Sequence, residues 1–185
     1  MFTRSALIAT AWGVFSISPL ASADLPTQYL PINGGSGGSG YTRNCGADKA
    51  LTGFVYRSGM VIDAVGIQCR GVTSSGTLGT QSTVGSLVGG GGGTSRSLSC
   101  DANQVVTALH VFYGSWISEF AIECQPWNPS TRTFSGTKTY KSAGSHSFSD
   151  HAAATRCESS AQPVVGIRGR AANVVDAMGI FCDEP

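Results

Sequence analysis

Apolar residues recur at every second position in three stretches of the chain: Val65, Ile67 and Cys69; Phe120, Ile122 and Cys124; Met178, Ile180 and Cys182. Such alternation marks a strand with one face in a core. Upstream of each lies a second run, residues 51–57, 106–112 and 164–170, in which a small residue (Gly53, Ala108, Gly166) precedes a large apolar one (Phe54, Leu109, Ile167). The large residues are expected in the core, and the small ones where another backbone comes close. Arg57-Ser58-Gly59, Phe112-Tyr113-Gly114 and Gly169-Arg170-Ala171 stand between the runs and read as turns, so each pair of runs predicts a hairpin.

The three hairpins are copies of one another. A shift of 55 residues lays Cys45 on Cys100, Gly59 on Gly114, Ile62 on Ile117 and Cys69 on Cys124. A shift of 113, counted back from the last cysteine, lays Cys69 on Cys182, Ile67 on Ile180, Asp63 on Asp176 and Arg57 on Arg170. Each copy opens and closes on cysteine, and one extra residue stands near Cys157. A glycine cluster precedes the first copy (Gly34 to Gly40), and its counterpart, Gly89 to Gly93, stands at a similar distance before the second, so these are structural parts rather than flexible linkers.

The connecting segments 70–88 and 125–143 are expected to supply one or two further strands each, giving three four-stranded units and about twelve strands. Three sheet-forming copies bury their inner faces together by closing around an axis, which predicts a three-sided all-β prism. Repeats are drawn at about 34–88, 89–143 and 144–182, within one domain spanning 34–185.

The N-terminus changes the compartment. Arg4, an apolar stretch from Ala6 to Leu20 and Ala21-Ser22-Ala23 read as a cleaved signal peptide over residues 1–23, with 24–33 a lead-in. No later apolar run is long enough to span a bilayer. The whole chain has a formal net charge of +1, contributed by Arg4, so the mature chain is neutral and carries no electrostatic footprint for nucleic acid or an anionic membrane. Six cysteines behind a signal peptide argue for disulfides in a secreted protein, extracellular or periplasmic. Six cysteines allow 15 pairings. The repeat favours Cys45 to Cys69, Cys100 to Cys124 and Cys157 to Cys182, one bridge inside each repeat. The absence of any C-x-x-C pair argues against a metal, and no cofactor is expected.

A glycine cluster, a strand, and then G-x-x-x-D leading into an alternating apolar strand resembles the jacalin-related lectins. Three cysteine-framed repeats of this length also resemble the vitelline membrane outer layer proteins. The resemblance covers residues 33–182 and implies a β-prism I fold, with three Greek-key sheets of four strands in pseudo-threefold arrangement. In such lectins the G-x-x-x-D loop and a glycine-rich loop hold the sugar. A carboxylate accepts two hydroxyl hydrogen bonds at once, and glycine lets backbone amides reach a ligand with no Cβ in the way.

Carried over by position, the motif is whole once, at Gly59-Met60-Val61-Ile62-Asp63. The third copy, Ala172-Asn173-Val174-Val175-Asp176, keeps the aspartate without the glycine; the second, Gly114-Ser115-Trp116-Ile117-Ser118, keeps the glycine without the aspartate, with Glu119 following. By analogy Asp63 would work with Gly89, Gly90, Gly91, Gly92 and Gly93 of the next unit, and Asp176 with Gly34, Gly35 and the glycines to Gly38. Asp63 ranks first. Tyr56, Tyr113 and Trp116 are candidate stacking partners. The other reading is structural: an aspartate between a turn and a strand caps backbone N–H groups, and glycines serve tight turns.

Other signals carry less. Gly34-Gly35-Ser36-Gly37-Gly38 matches G-x-S-x-G and residues 35–40 match G-x-G-x-x-G, but neither has the strand and helix such motifs need. His146, Asp150 and His151 gather in one loop, either a surface loop or a metal or acid-base group. His110 reads as structural, and Arg57, Arg168 and Arg170 either meet acidic sugars or are simply solvated. Asn128-Pro129-Ser130 is no glycosylation sequon because of its proline. The sequence therefore points to a non-catalytic glycan-binding protein, with a structural matrix protein as the alternative and a polysaccharide-active enzyme third, since no acid and base carboxylate pair stands out. Glycans are the expected partners, with homo-oligomerisation open.

Overall fold

The structure, a computed structural model, describes residues 25–145, 149–157 and 161–185. The expected signal peptide lies outside the described residues, as does His146. The chain begins with the short strands β1 (Gln28–Tyr29) and β2 (Asn33–Gly34), then β3 (Ser39–Asn44). Sheet one follows as β4 (Lys49–Ser58), β5 (Ile62–Gly71), β6 (Ser82–Gly89) and β7 (Thr94–Ser99), in the order β6-β5-β4-β7. Sheet two holds β8 (Val105–Tyr113) and β9 (Ile117–Gln125); after a small ribbon of β10 (Trp127–Asn128) and β11 (Thr133–Phe134) it takes in β12 (Thr139–Gly144) and β13 (His151–Arg156), in the order β12-β9-β8-β13. Sheet three joins the two ends of the chain. Its centre is β14 (Val164–Ala171) and β15 (Val175–Cys182), with β3 beside β14 and both β1 and β2 beside β15.

All pairings are antiparallel, and each sheet is a Greek key of the expected β-prism I type. The central strands run longer than the sequence suggested. Arg57-Ser58, Phe112-Tyr113 and Gly169 to Ala171 all remain in strand, which moves the hairpin turns to 59–61, 114–116 and 172–174. The expected repeat boundaries at 89 and 144 fall at connections within sheets one and two, between β6 and β7 and between β12 and β13.

The inner faces meet in one core. Phe54, Leu109 and Ile167 are wholly buried in it, with Val65, Ile67, Phe120, Ile122, Met178 and Ile180. Phe120 packs on Phe54 and Tyr56 at ring separations of 5.0 and 5.6 Å. The small residues stand where backbones crowd: a Cβ on Gly53 would meet the Leu98 carbonyl, and one on Gly166 the Arg43 carbonyl. Each first strand bulges once, skipping Thr52, Thr107 and Val165 in the ladder. Those three carbonyls are not idle. They accept from the N–H groups of Cys100, Cys157 and Cys45, at 2.9, 2.8 and 2.9 Å, so each unit hooks its first cysteine onto the bulge of the unit before it.

The disulfides are Cys45–Cys69, Cys100–Cys124 and Cys157–Cys182, with Cα separations of 5.6, 5.7 and 5.7 Å. All six sulfurs belong to core residues. A second, smaller core of Ala50, Val105 and Trp127 closes the opposite end of the prism from the hairpin turns.

Candidate sugar-binding loops

The edge strands of each sheet are joined across its end. Strands β6 and β7 lie on opposite edges of sheet one, three strand spacings or about 14 Å apart. Only residues 90–93 separate them, and five steps of at most about 3.5 Å leave little slack. The glycine loop must therefore run nearly straight over the end of the β4–β5 hairpin. Residues 35–38 cross sheet three in the same way, from β2 to β3. This differs from the expectation that a neighbouring unit lends the glycines, because loop and aspartate share a sheet.

Each crossing starts on a glycine with positive φ: Gly34 (136°), Gly89 (115°) and, in sheet two, Gly144 (103°). A Cβ at these positions would strike the backbone of Asp176, Asp63 and Ser118 respectively. The next residue then donates to that same backbone: Gly35 to Asp176 O and Gly90 to Asp63 O at 2.8 Å, and Ser145 to Ser118 O at 3.1 Å. This start is common to all three sheets.

Beyond it only two sheets agree. In sheet one, Gly92 and Gly93 lie against the Asp63 carboxylate so closely that a Cβ on either would overlap an oxygen; in sheet three, Gly37 and Gly38 lie against Asp176 in the same manner. Arg57 holds the first loop from outside, donating from Nε to Gly92 O (2.6 Å) and from a terminal nitrogen to Gly93 O (2.7 Å). Arg170 does the same for Gly37 O (2.7 Å) and Gly38 O (2.6 Å). Their forks are thus spent on loop carbonyls. Arg168 instead donates to Leu30 O (3.0 Å) and lies over the Tyr29 ring.

The aspartates are the unusual element. Oδ2 of Asp63 and of Asp176 are buried and accept no hydrogen bond, and Asp176 is 4% exposed overall. A buried carboxylate oxygen without a donor is costly. The amides of Ser36, Gly37, Gly91 and Gly92 donate to no described group. The carboxylates and these amides thus keep hydrogen-bonding capacity that no described group uses.

Among its described residues, sheet two lacks the arginine and aspartate of the other two. Phe112 stands in the place of the loop-holding arginine, and Ser118 in the place of the aspartate, its hydroxyl bonded to Phe112 O at 3.1 Å. Glu119, next along β9, follows the bulge at Ser118 and stands opposite Phe112 in the ladder.

Among the other candidates, Met60 is 70% exposed beside the loop, whereas the Ile62 side chain is wholly in the core and leaves only its backbone for a ligand. A Cβ at Gly59 would make ordinary contacts, 3.6 Å from Asp63, which explains why Ala172 can replace it in sheet three. Asn173 and Val174 lie in the turn against which Gly90 packs, so they border the Asp63 loop rather than the Asp176 one. Gly35 packs likewise on Ser115, bringing the sheet two turn to the Asp176 loop. Tyr56 is buried beneath Phe120 and not available for stacking; Trp116 is half exposed.

A cavity of about 430 Å³ opens over Asp176, lined by Gly35, Ser36 and Gly37 together with Gly114, Ser115, Trp116, Asp150 and His151. His151 bonds Asp150 at 2.6 Å and stacks on Tyr113. The sequence pattern could not show Asp150, His151 and Trp116 converging on Asp176: Trp116 falls in the second repeat, and β13, although drawn in the third repeat with Asp176, pairs into sheet two. His110 is structural: it pairs at 2.6 Å with Glu123, a wholly buried carboxylate that also meets Arg156 and Lys138. Burial pushes the Glu123 carboxyl up, but the hydrogen bonds from Arg156, His110 and Lys138 outweigh it and hold it below the usual range. No cluster of three or more His, Cys, Asp or Glu fit to hold a metal occurs among the described residues. No helix there is long and apolar enough to cross a membrane.

A closed three-sheet prism with paired glycine loops and aspartates at one end defines a lectin-type β-prism domain. Residues 32–181 match the family model of the jacalin-like lectin domain, and the chain belongs to that family. Malaysian banana lectin is similar in structure, with a TM-score of 0.59 at 16% identity, over 86% of this chain and 100% of that one. So is a mannose-binding jacalin related lectin from Ananas comosus, with 0.57 at 21%, over 86% and 99%. Calystegia sepium agglutinin gives 0.58 at 15%, over 86% and 99%. A search of curated protein sequences found no match.

Proposed function

We propose that this protein is a secreted, non-catalytic glycan-binding protein with two sugar sites, one at Asp63 with Gly90 to Gly93 and one at Asp176 with Gly35 to Gly38. The observation that carries the reading is the pair of buried, unpartnered aspartate oxygens, each under a glycine crossing held from behind by an arginine. Turn-capping does not account for them, since a cap would accept backbone N–H groups and Oδ2 of each accepts none. The apparent leader over residues 1–23 and the three disulfides support export to an oxidising compartment. The Ananas comosus relative is mannose-binding, so mannose and its oligomers are the first sugars to offer.

A glycan array tests the reading. The wild type is expected to bind a defined set of glycans, and the double variant Asp63→Asn, Asp176→Asn to lose them while keeping its melting temperature. An array blank for the wild type, or unchanged binding by the double variant, would instead support the structural matrix reading.

A further inference from the structure

The two loops share one frame but not one neighbourhood. The Asp63 loop is bordered by the sheet three turn, which offers Asn173 and Val174 and no charge. The Asp176 loop is bordered by sheet two, and the cavity between them gathers a second carboxylate, Asp150, together with Trp116 and His151. No lysine or arginine lines that cavity among the described residues. The arginine behind each loop is common to both sites and so cannot distinguish them.

Resting on the glycan-binding reading, we infer that the Asp176 cavity selects sugars carrying a free amino group, while the Asp63 site takes neutral sugars. Asp176 lines the cavity, and no described group donates a hydrogen bond to its carboxylate, which leaves it open to a donor from the ligand. A sugar hydroxyl can supply that. An ammonium group on the same ring adds a positive charge facing Asp150, a carboxylate whose one ion-pair partner among the described residues is the His151 imidazole. Trp116 is half exposed at the rim and gives that cation an aromatic face. The cavity, about 430 Å³, is within the size range of small-molecule sites.

The test is calorimetric titration near pH 7 with glucosamine, mannosamine and galactosamine, each against its neutral parent and its N-acetyl form. The Asp63→Asn variant is used so that only the Asp176 cavity is read. One largely exposed charge pair plus an aromatic contact is expected to favour the amine by up to about tenfold over the neutral parent. The N-acetyl form, which has no charge, should show no such gain. Adding Asp150→Asn should bring the amines down to the level of the neutral parents. Equal binding of amine and neutral sugars, or a preference that survives Asp150→Asn, overturns the inference and leaves the glycan-binding reading standing. If none of these sugars, nor any glycan on an array, binds the wild type, both fall together.

Discussion

Gly92 offers a graded probe of the loop, because its neighbours Gly91 and Gly93 differ from it in what a methyl group would meet. At Gly91 nothing lies within 4 Å of an added Cβ, so Gly91→Ala should change stability by no more than about 0.5 kcal/mol and leave binding alone. At Gly92 the methyl would enter the space of the Asp63 carboxylate, and φ there lies outside the left-handed region, so the backbone tolerates the change. The carboxylate must turn aside, which forfeits at least one hydrogen bond to a charged acceptor, about 1.5–3 kcal/mol. That corresponds to a loss of tenfold or more at one site. Gly93→Ala adds backbone cost, since φ is +62° and the methyl also meets Ser58; left-handed alanine alone costs roughly 1–2 kcal/mol. Calorimetry with a bound glycan should therefore show two sites for wild type and Gly91→Ala and one for Gly92→Ala, with melting temperature falling only for Gly93→Ala. A folded Gly92→Ala protein that retains two sites of full affinity would refute the placement of Asp63 in the sugar site.

Arg57→Lys keeps a charge but not the fork that holds both Gly92 O and Gly93 O. It should weaken the Asp63 site by up to about tenfold while costing less than about 1 kcal/mol in denaturant melts, as these bonds are exposed. Glu123 sets an acid limit. Because its folded carboxyl titrates below the ordinary range, its contribution is complete above about pH 4.3 and is lost as pH falls through the lowered value. Glu123→Gln should cost roughly 2–3 kcal/mol at neutral pH, discounted for the exposure of Arg156 and Lys138, and should flatten the acid side of the stability profile. Replacing Cys100 and Cys124 by alanine removes a loop of 24-residue separation, worth about 3.5 kcal/mol in the chain-entropy picture, and should lower the urea midpoint accordingly.

The sequence carried the fold well, for reasons visible in particular residues. Period-two apolar runs ending on Cys69, Cys124 and Cys182 fix strand, face and disulfide together, and the 55-residue shift repeats the pattern closely enough to demand threefold closure. What it hid was long-range. Gly34 pairs with Ala177, at the far end of the chain, so the partners of the glycine loops cannot be read from their sequence neighbours. The same limit concealed Asp150 beside Asp176. Tyr56 lies two residues beyond Phe54 in β4, so strand alternation places it on the core face and away from a ligand. The intact G-x-x-x-D gave Asp63 precedence, yet the contact geometry of Gly59 makes that glycine replaceable and puts the two aspartates on equal terms. The recurrence of Arg57 at Arg170, one shift of 113 apart, was the sequence signal for the loop-holding role, and Phe112 marks where it was lost.

The most direct measurement is an amide-resolved NMR titration of the disulfide-intact protein with a panel of neutral and amino sugars. Shifts at residues 35–38 and 90–93, with Asp63 and Asp176, and for amino sugars also at Trp116, Asp150 and His151, are the predicted result. Shifts at the opposite end of the prism, around Arg132 and Phe134, or none with any glycan, would contradict it.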